Sequence, residues 1–249
     1  MKLQLIRNAT IKINYLKGCF LTDPYLADQF SRPPYIGKSK TPMTVLPFSK
    51  AEIMSGVEMV LLSHIHSDHF DEAAKETIDK DMLILCQKED ETEIKTLGFK
   101  NIKSVDNSIL WKNINITKTY AKHGTGSVLE DMGPGSGYIL RAQGEPTVYL
   151  AGDTILCDEV KAVLVKEKPD IIITHSCGAE WGDHVKIVMD EKDTIEICKM
   201  LPNSTVVAVH METVDHATVT RDELRQYARE NNIKDTQLLI PFDGEIIDL

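Results

Sequence analysis

One short stretch constrains this chain more than any other: LLSHIHSDHFD, which begins at Leu61 and ends at Asp71. An apolar run over 57–62 leads into it and predicts a buried strand that ends in a polar turn. Its side chains able to bind a metal are His64, His66, Asp68 and His69. Alternate residues of an extended segment point the same way, so the first two histidines can converge on one cation while Asp68 and His69 turn toward a second. Imidazole and carboxylate groups are ligands that zinc and similar divalent metals prefer.

This stretch resembles the His-x-His-x-Asp-His signature of the metallo-β-lactamase superfamily. The order of the later motifs is most similar to the ascorbate-6-phosphate lactonase-like branch of metal-dependent hydrolases, and the resemblance covers nearly the whole chain. It implies a four-layer αββα sandwich, in which two mixed sheets face each other and helices flank them. It also implies hydrolytic chemistry that depends on a metal.

The resemblance implies three further ligands, each at or just after the end of a strand. They are His123, Asp153 within Gly152-Asp153-Thr154, and His210. Gly-Asp-Thr alone is a common strand-to-turn sequence, and it gains weight from its place in the family order. His216 is a rival for the last position. We prefer His210 because it follows the strand directly, and we expect His216 either to support a metal ligand or to face the substrate.

The implied site holds two divalent cations. The first is assigned to His64, His66 and His123, and the second to Asp68, His69 and His210, with Asp153 and a hydroxide bridging them. Zinc is the preferred metal, with manganese and iron as alternatives that the same ligands accept. Two cations about 3.5–4 Å apart lower the pKa of a bridging water and stabilise charge on the attacked group. Asp68 is expected to orient the nucleophile, and a protonated His216 or a metal-bound water to serve the leaving group.

The function predicted from this resemblance is hydrolysis of a small, anionic ester or lactone. A phosphodiesterase is an alternative, because the same pair of ions can act on phosphorus. Diiron redox proteins share the fold but have a glutamate where His66 stands, which counts against that class. A non-catalytic metal-binding protein is the third class, and degenerate relatives usually lose ligands that this chain retains.

Composition excludes several other classes. The chain has 249 residues, 42% of them hydrophobic, and a net charge of −10 with a pI near 5.3. An acidic chain is poorly suited to binding nucleic acid, which depends on clustered Lys and Arg, so a small-molecule substrate is expected. No apolar run approaches the roughly 20 residues that span a membrane, and the first residues lack a signal peptide pattern, so we expect a cytoplasmic protein. The sequence leaves open whether it forms a homo-oligomer.

The cysteines do not form a recognisable framework. Their number is odd, they are scattered, and no two make a C-x-x-C pair: Cys19, Cys86, Cys157, Cys177 and Cys198. We therefore expect most of them to be buried apolar residues in a reducing compartment, with Cys157 or Cys177 able to line a pocket as the alternative.

Periodicity predicts an α/β fold in one domain over residues 1–249. Antiparallel strands are expected over 2–23. Later strands are expected near 57–62, 82–86, 102–105, 114–121, 138–141, 146–151, 170–174, 205–209 and 237–241. Helices are expected near 72–80, 88–97, 155–167, 191–201 and 220–231, the last opened by the capping box Thr220-x-x-Glu223.

Two irregular segments are expected near the site. Residues 24–50 contain five prolines, and long loops of this kind are often functional. Within them Tyr25, Arg32 and Tyr35 are candidate substrate contacts, with Arg32 the natural partner of an anion, and a rigid surface loop is the alternative. Residues 124–137 are glycine-rich and predict a flexible entry to a hairpin that borders the pocket.

Three polar residues have no assigned role. Asp23, which precedes Pro24, either caps a turn or lies near the site. His175 and His184 match no ligand position, and we expect a structural or substrate-lining role for them rather than coordination.

Overall fold

The computed structural model describes residues 1–249, and most of its strands lie in two seven-stranded sheets. In spatial order the first sheet contains β16 (Ile246–Asp248), β1 (Lys2–Arg7), β2 (Thr10–Tyr15), β3 (Gly18–Thr22), β4 (Met59–Leu61), β5 (Leu83–Cys86) and β6 (Ile102–Ser104). Its strands pair antiparallel from β16 to β3 and parallel from β3 to β6. The antiparallel strands expected over 2–23 are therefore present.

The second sheet is mixed in the same way. In spatial order it contains β15 (Leu238–Leu239), β14 (Thr205–Val209), β11 (Ile171–His175), β10 (Val148–Leu150), β9 (Gly135–Arg141), β8 (Ile114–Ala121) and β7 (Ser108–Trp111). Pairing is parallel from β15 to β10 and antiparallel from β10 to β7. A separate hairpin joins β12 (Glu180–Trp181) to β13 (Val185–Lys186).

Seven α-helices connect or cover the strands. They are α1 (Lys50–Met54), α2 (Glu72–Thr77), α3 (Glu91–Thr96), α4 (Val128–Met132), α5 (Asp158–Glu167), α6 (Glu191–Met200) and α7 (Arg221–Glu230). The Thr220 side chain accepts a hydrogen bond from the Glu223 amide and the Glu223 carboxylate accepts from the Thr220 amide, so the predicted capping box is formed. None of these helices combines the length and the apolar character needed to cross a membrane.

The alternation of side chains along the buried strands produces the layers. In β11, Ile171 and Ile173 join the core between the two sheets, whereas Ile172 packs on the outer side with residues of α5 to α7 such as Leu164. In β4, Val60 likewise packs with residues of α1, α2 and α3 on the outer side of the first sheet. A strand segment covered on both faces is apolar throughout, as Met59–Leu61 and residues 171–173 are. The predicted αββα sandwich is confirmed.

One core cluster draws on both sheets. It contains Leu3 and Leu5 from the first sheet together with Leu140 and Ile173 from the second. Because neither sheet buries its inner face alone, we propose that residues 1–249 form one domain.

Strand direction brings the candidate site residues to one edge. The parallel strands β3 and β4 end there in the first sheet, and β10, β11 and β14 end there in the second. Two antiparallel steps separate β8 from β10, so β8 also ends at this edge. All the predicted ligand segments follow one of these strands.

The structure differs from the sequence-based expectation in the glycine-rich segment 124–137. This segment contains a helix, α4, instead of only a flexible entry to the hairpin. Val128 and Met132 of α4 are buried against Cys177 and Ile187. Glycines surround this short helix, so the sequence shows no apolar period there. The residues that bury Val128 and Met132 come from distant parts of the chain.

Several short elements escaped prediction because their stability depends on partners distant in sequence. They are α1, β7, the hairpin of β12 and β13, and β16. The clearest case is β16, only three residues long, which is held by pairing of Ile247 with Leu3 at the other end of the chain.

Candidate metal centre

Three histidines form the first group of side chains at the strand edge. They are His64, His66 and His123, and their nearest ring nitrogens all lie within 4.8 Å of one another. Nε2 of His64 is 2.9 Å from Nδ1 of His66. Nitrogens from two segments of the chain thus converge on one point, as a shared cation requires.

Hydrogen bonds fix the orientation of two of these rings. Nδ1 of His123 donates to the carbonyl oxygen of Ile187 at 2.8 Å, so its Nε2 keeps a free lone pair. The hydroxyl of Ser63 donates to Asp23 at 2.7 Å, which leaves that hydroxyl to accept from Nδ1 of His64 at 2.9 Å. Such outer partners set the tautomer of a metal-binding histidine, and here both leave Nε2 for the ion.

A second group lies beside the first. It consists of His69, Asp153, His175 and His210, whose potential ligand atoms also lie within 4.8 Å of one another. Nε2 of His69 and Nε2 of His210 are 3.2 Å apart. His210 has a left-handed backbone conformation, with φ 64°, an uncommon state for a residue with a Cβ that clusters at functional sites.

Asp68 lies beside the second group. Its Oδ2 is 3.2 Å from Nε2 of His210 and 3.8 Å from Nε2 of His69. The structure therefore brings all seven predicted ligands together, and their assignment to particular ions stays a prediction.

His175 joins the second group although the sequence did not predict it as a ligand. Its Nδ1 donates to Oδ1 of Asp153 at 2.6 Å. The signal that could have found it is its place as the last residue of β11, between two parallel strands that also deliver site residues.

Asp153 stands between the two groups. Its Oδ2 is 3.2 Å from Nε2 of His69 in one group and 3.5 Å from Nε2 of His123 in the other. Gly152 allows the turn that places Asp153 here, because it has φ 69° and an added Cβ would collide with the carbonyl oxygen of Ser136. A carboxylate so placed has the position that a bridging ligand needs.

The electrostatics of the first group fit metal binding. Burial lowers the pKa of His64 well below its usual value and lowers that of His123 to about 4, so both rings are neutral at pH 7. Burial alone would raise the pKa of Asp153, but the charges of His69 and His210 outweigh it and hold that pKa well below its usual value. Neutral imidazoles and ionised carboxylates are the forms that bind divalent cations. The first group therefore already has the form that an ion needs. In the second group burial lowers the pKa of His69, but the charges of Asp153, Asp68 and Asp23 outweigh it and raise that pKa to about 10, so a cation bound there displaces a proton. The donor types of both groups fit divalent cations.

A cavity of about 200 Å³ opens onto these groups. Its lining combines site residues with aromatic and apolar side chains and contains no Lys or Arg: Tyr35, His66, Ser67, Asp68, His123, Asp131, Met132, Asp153, Trp181, Ile187 and His216. Burial lowers the pKa of His216, so this ring is neutral at pH 7.

The remaining candidates have different places. Arg32 donates to the backbone carbonyl of Ser67 and does not line the cavity. His184 lies in the exposed turn between β12 and β13, where 90% of its side chain is accessible, and it does not line the cavity. Asp23 is buried beside the metal turn, where its Oδ2 is 3.1 Å from Nδ1 of His69. Cys177 is also buried, and its Sγ is 3.4 Å from Nδ1 of His210.

Comparison with known proteins gives a consistent result. A family model described as the β-lactamase superfamily domain matches residues 19–211. The YddR protein of Bacillus subtilis strain 168 is 33% identical over 251 residues, which cover 98% of each chain. Two solved structures match at full length. An isothiocyanate hydrolase from Delia radicum gut bacteria has a TM-score of 0.95 and 36% identity, covering 100% of this chain and 99% of its own. A possible metal-dependent hydrolase from Veillonella parvula has a TM-score of 0.96 and 33% identity over the same shares.

The fold and the histidine-aspartate site together define a metal-dependent hydrolase. The chain belongs to the β-lactamase superfamily, as its HIHSDH segment predicted. The narrower likeness to the ascorbate-6-phosphate lactonase-like branch stays a prediction.

Proposed function

We propose that this protein binds two divalent cations, with zinc as the first metal to test, and hydrolyses a small electrophilic molecule. The first ion would be held by His64, His66 and His123, the second by Asp68, His69 and His210, with Asp153 between them. The observation that carries this proposal is the carboxylate of Asp153, whose one oxygen lies 3.2 Å from His69 and 3.5 Å from His123. A single carboxylate that reaches both groups is the arrangement expected for a dinuclear centre.

When bound, the two ions would activate a water molecule and stabilise negative charge on the attacked group. The side chains of the protein then have distinct tasks. Asp68, which lines the cavity, accepts a hydrogen bond from the attacking water and orients it. His175 holds Asp153 through its 2.6 Å hydrogen bond. His216 faces the leaving group as a neutral ring and acts there by hydrogen bonding, since burial disfavours its protonated form.

The cavity favours a substrate with an apolar part. Tyr35, Trp181, Met132 and Ile187 contribute apolar surface, and no Lys or Arg lines the cavity. A small ester or lactone, the substrate predicted from the sequence, fits this lining, and attraction of an anionic one would depend on the metal ions. An isothiocyanate is the second candidate, because the 36% identical structure of equal length is that of an isothiocyanate hydrolase. Its N=C=S carbon is an electrophile open to water, and the group carries no charge.

The other functions receive less support. A phosphodiester substrate is anionic, and the cavity offers it no Lys or Arg side chain beside the metal ions. The redox class is disfavoured by His66, which stands where diiron relatives have a glutamate. A non-catalytic role is disfavoured by the retention of every expected ligand position beside an open cavity. Cytoplasmic location, a small-molecule partner and a homo-oligomeric state stay predictions.

A substrate panel tests the proposal. The protein is reconstituted separately with zinc, manganese and iron, and assayed on esters, lactones, isothiocyanates and phosphodiesters. We expect turnover of an ester, a lactone or an isothiocyanate that is lost in Asp153→Ala. The exposed Asp158→Ala is the matched control and should behave like the parent protein. Faster cleavage of phosphodiesters, or no turnover with any metal, would contradict the proposal.

A further inference from the structure

Three rings form a continuous wall beside the metal centre. The rings of Tyr35 and His216 are 5.0 Å apart between centroids, and those of Trp181 and His216 are 6.3 Å apart. Both contacts are edge-to-face, at interplanar angles of 60° and 81°. All three residues line the cavity that opens onto the metal centre. They come from three distant segments, so the wall exists only in the folded chain.

Tyr35 is fixed to the metal turn by its side chain. Its hydroxyl is 2.9 Å from Oγ of Ser67, which lies between His66 and Asp68 in the ligand motif. Burial raises the pKa of Tyr35 far above its usual value, so the hydroxyl is not ionised at neutral pH. The contact with Ser67 therefore ties the ring to the turn that carries His66 and Asp68.

The backbone around Tyr35 is fixed separately by Asp215. The carboxylate of Asp215 accepts hydrogen bonds from the amides of Tyr35, Ile36, Lys38 and Ser39, at distances from 2.8 to 3.3 Å. Asp215 precedes His216, so the same short segment supplies one ring of the wall and holds another. Four amides of residues 35–39 thus share one acceptor, although residues 36–38 are exposed.

We infer that this wall is a recognition slot for a planar apolar substituent of the substrate, with an aromatic ring as the best occupant. Tyr35 and Trp181 are its specificity-determining residues. The inference rests on the proposed hydrolytic function and adds the chemical class of the group next to the reacting centre. Aromatic rings stack favourably at centroid distances of 4.5–7 Å, and a wall already fixed in place loses little entropy when a ligand ring is added. Met132 and Ile187 add aliphatic surface to the same cavity.

Paired substrates that differ only in the substituent test the slot. The metal-loaded protein is assayed with benzyl and methyl isothiocyanate and with benzyl and methyl acetate. We expect kcat/KM to favour the benzyl member of a hydrolysed pair by on the order of tenfold or more, the size expected for one well-packed aromatic contact. In Tyr35→Ala and Trp181→Ala this ratio should fall several-fold, mainly through KM. Tyr35→Phe loses the contact with Ser67 but keeps the ring and the backbone bonds to Asp215, so it should retain most of the ratio. Tyr120→Ala, a change at an exposed tyrosine outside the slot, is the control and should keep the ratio.

A binding measurement separates failure of the slot from failure of the hydrolytic proposal. Trp181 lies in the wall and the only other tryptophan, Trp111, packs against Phe20, so intrinsic fluorescence reports on the slot. Benzyl alcohol should change the emission of the metal-loaded protein at concentrations where methanol does not, and Trp181→Phe should abolish the change. If no substrate is hydrolysed but benzyl alcohol binds in this way, the slot stands and the proposed reaction fails. An equal response to both alcohols, or a benzyl preference unchanged in Tyr35→Ala and Trp181→Ala, would overturn the inference.

Discussion

The carboxylate of Asp23 clamps Ser63, the residue directly before the first histidine of the ligand motif. One oxygen accepts from the Ser63 amide and the other from the Ser63 hydroxyl, each at 2.7 Å. The second oxygen is also 3.1 Å from Nδ1 of His69. Asp23 follows β3 and Ser63 follows β4, so the parallel pairing of these strands sets the clamp that shapes the whole turn.

Loosening this clamp should weaken metal binding while the fold persists. We predict that Asp23→Asn lowers affinity for zinc by about 10–100-fold, the usual effect of removing a partner of a metal-binding histidine. Competition with a coloured chelator measures the affinity, and circular dichroism reports on the fold. The exposed Asp28→Asn in the same loop is the control. An affinity equal to that of the parent protein would show that the clamp does not orient the ligands.

Cys177 should strengthen binding of the second ion through its contact with His210. Its sulfur is 3.4 Å from Nδ1 of His210 and is placed to accept a hydrogen bond from that nitrogen. We predict that Cys177→Val, of similar size but without an acceptor, weakens binding of the second ion. Cys177→Ser keeps an acceptor and should stay closer to the parent. Stepwise zinc titration by calorimetry distinguishes the two ions, and equal behaviour of the Val and Ser variants would contradict the assigned role.

Asp215 should control substrate preference without touching the substrate. Asp215→Ala removes the acceptor for four backbone amides and releases the backbone around Tyr35. We expect the preference for benzyl over methyl substrates to fall, as it does in Tyr35→Ala, with metal content unchanged. An unaltered preference with a normal fold would mean that Ser67 alone holds the ring.

Asp90 should make stability depend on pH independently of the metal site. Burial raises its pKa from 3.8 to about 7 in the folded state. The unfolded chain releases this proton at lower pH than the folded chain, so the carboxyl reduces stability as pH rises from 3.8 to about 7. Asp90→Asn keeps an acceptor for Gln87, which donates to Asp90 at 3.0 Å, and removes the ionisation.

The gain in Tm from Asp90→Asn should therefore be larger at pH 8 than at pH 5. Thermal unfolding followed by circular dichroism at both pH values measures it. A gain that is the same at both values would mean that the carboxyl does not keep its proton in the folded state.

Local patterns were sufficient to predict much of the fold. The apolar run before His64 and the isoleucines of β11 are buried on both faces. Consecutive apolar residues are therefore enough to predict these strands. The capping box at Thr220 is equally local. The ligand motif lies within one turn of the chain, and the later ligands could be placed because the family resemblance supplied their order.

Contacts between distant segments explain what could not be predicted. The role of Asp215 depends on amides about 180 residues earlier in the chain, and nothing near Asp215 in the sequence indicates them. His175 entered the site because β11 lies between β10 and β14, an order that periodicity does not give. Arg32 looked like an anion partner from its residue type, but the fold places its guanidinium on the Ser67 carbonyl.

Metal stoichiometry tests the central claim most directly. Inductively coupled plasma mass spectrometry of the zinc-reconstituted protein and of Asp153→Ala, with circular dichroism as a check of folding, is the decisive comparison. The dinuclear account predicts two zinc ions per chain in the parent protein and loss of metal in folded Asp153→Ala. Unchanged metal content in the folded variant, or fewer than two zinc ions per chain in the parent protein, would contradict it.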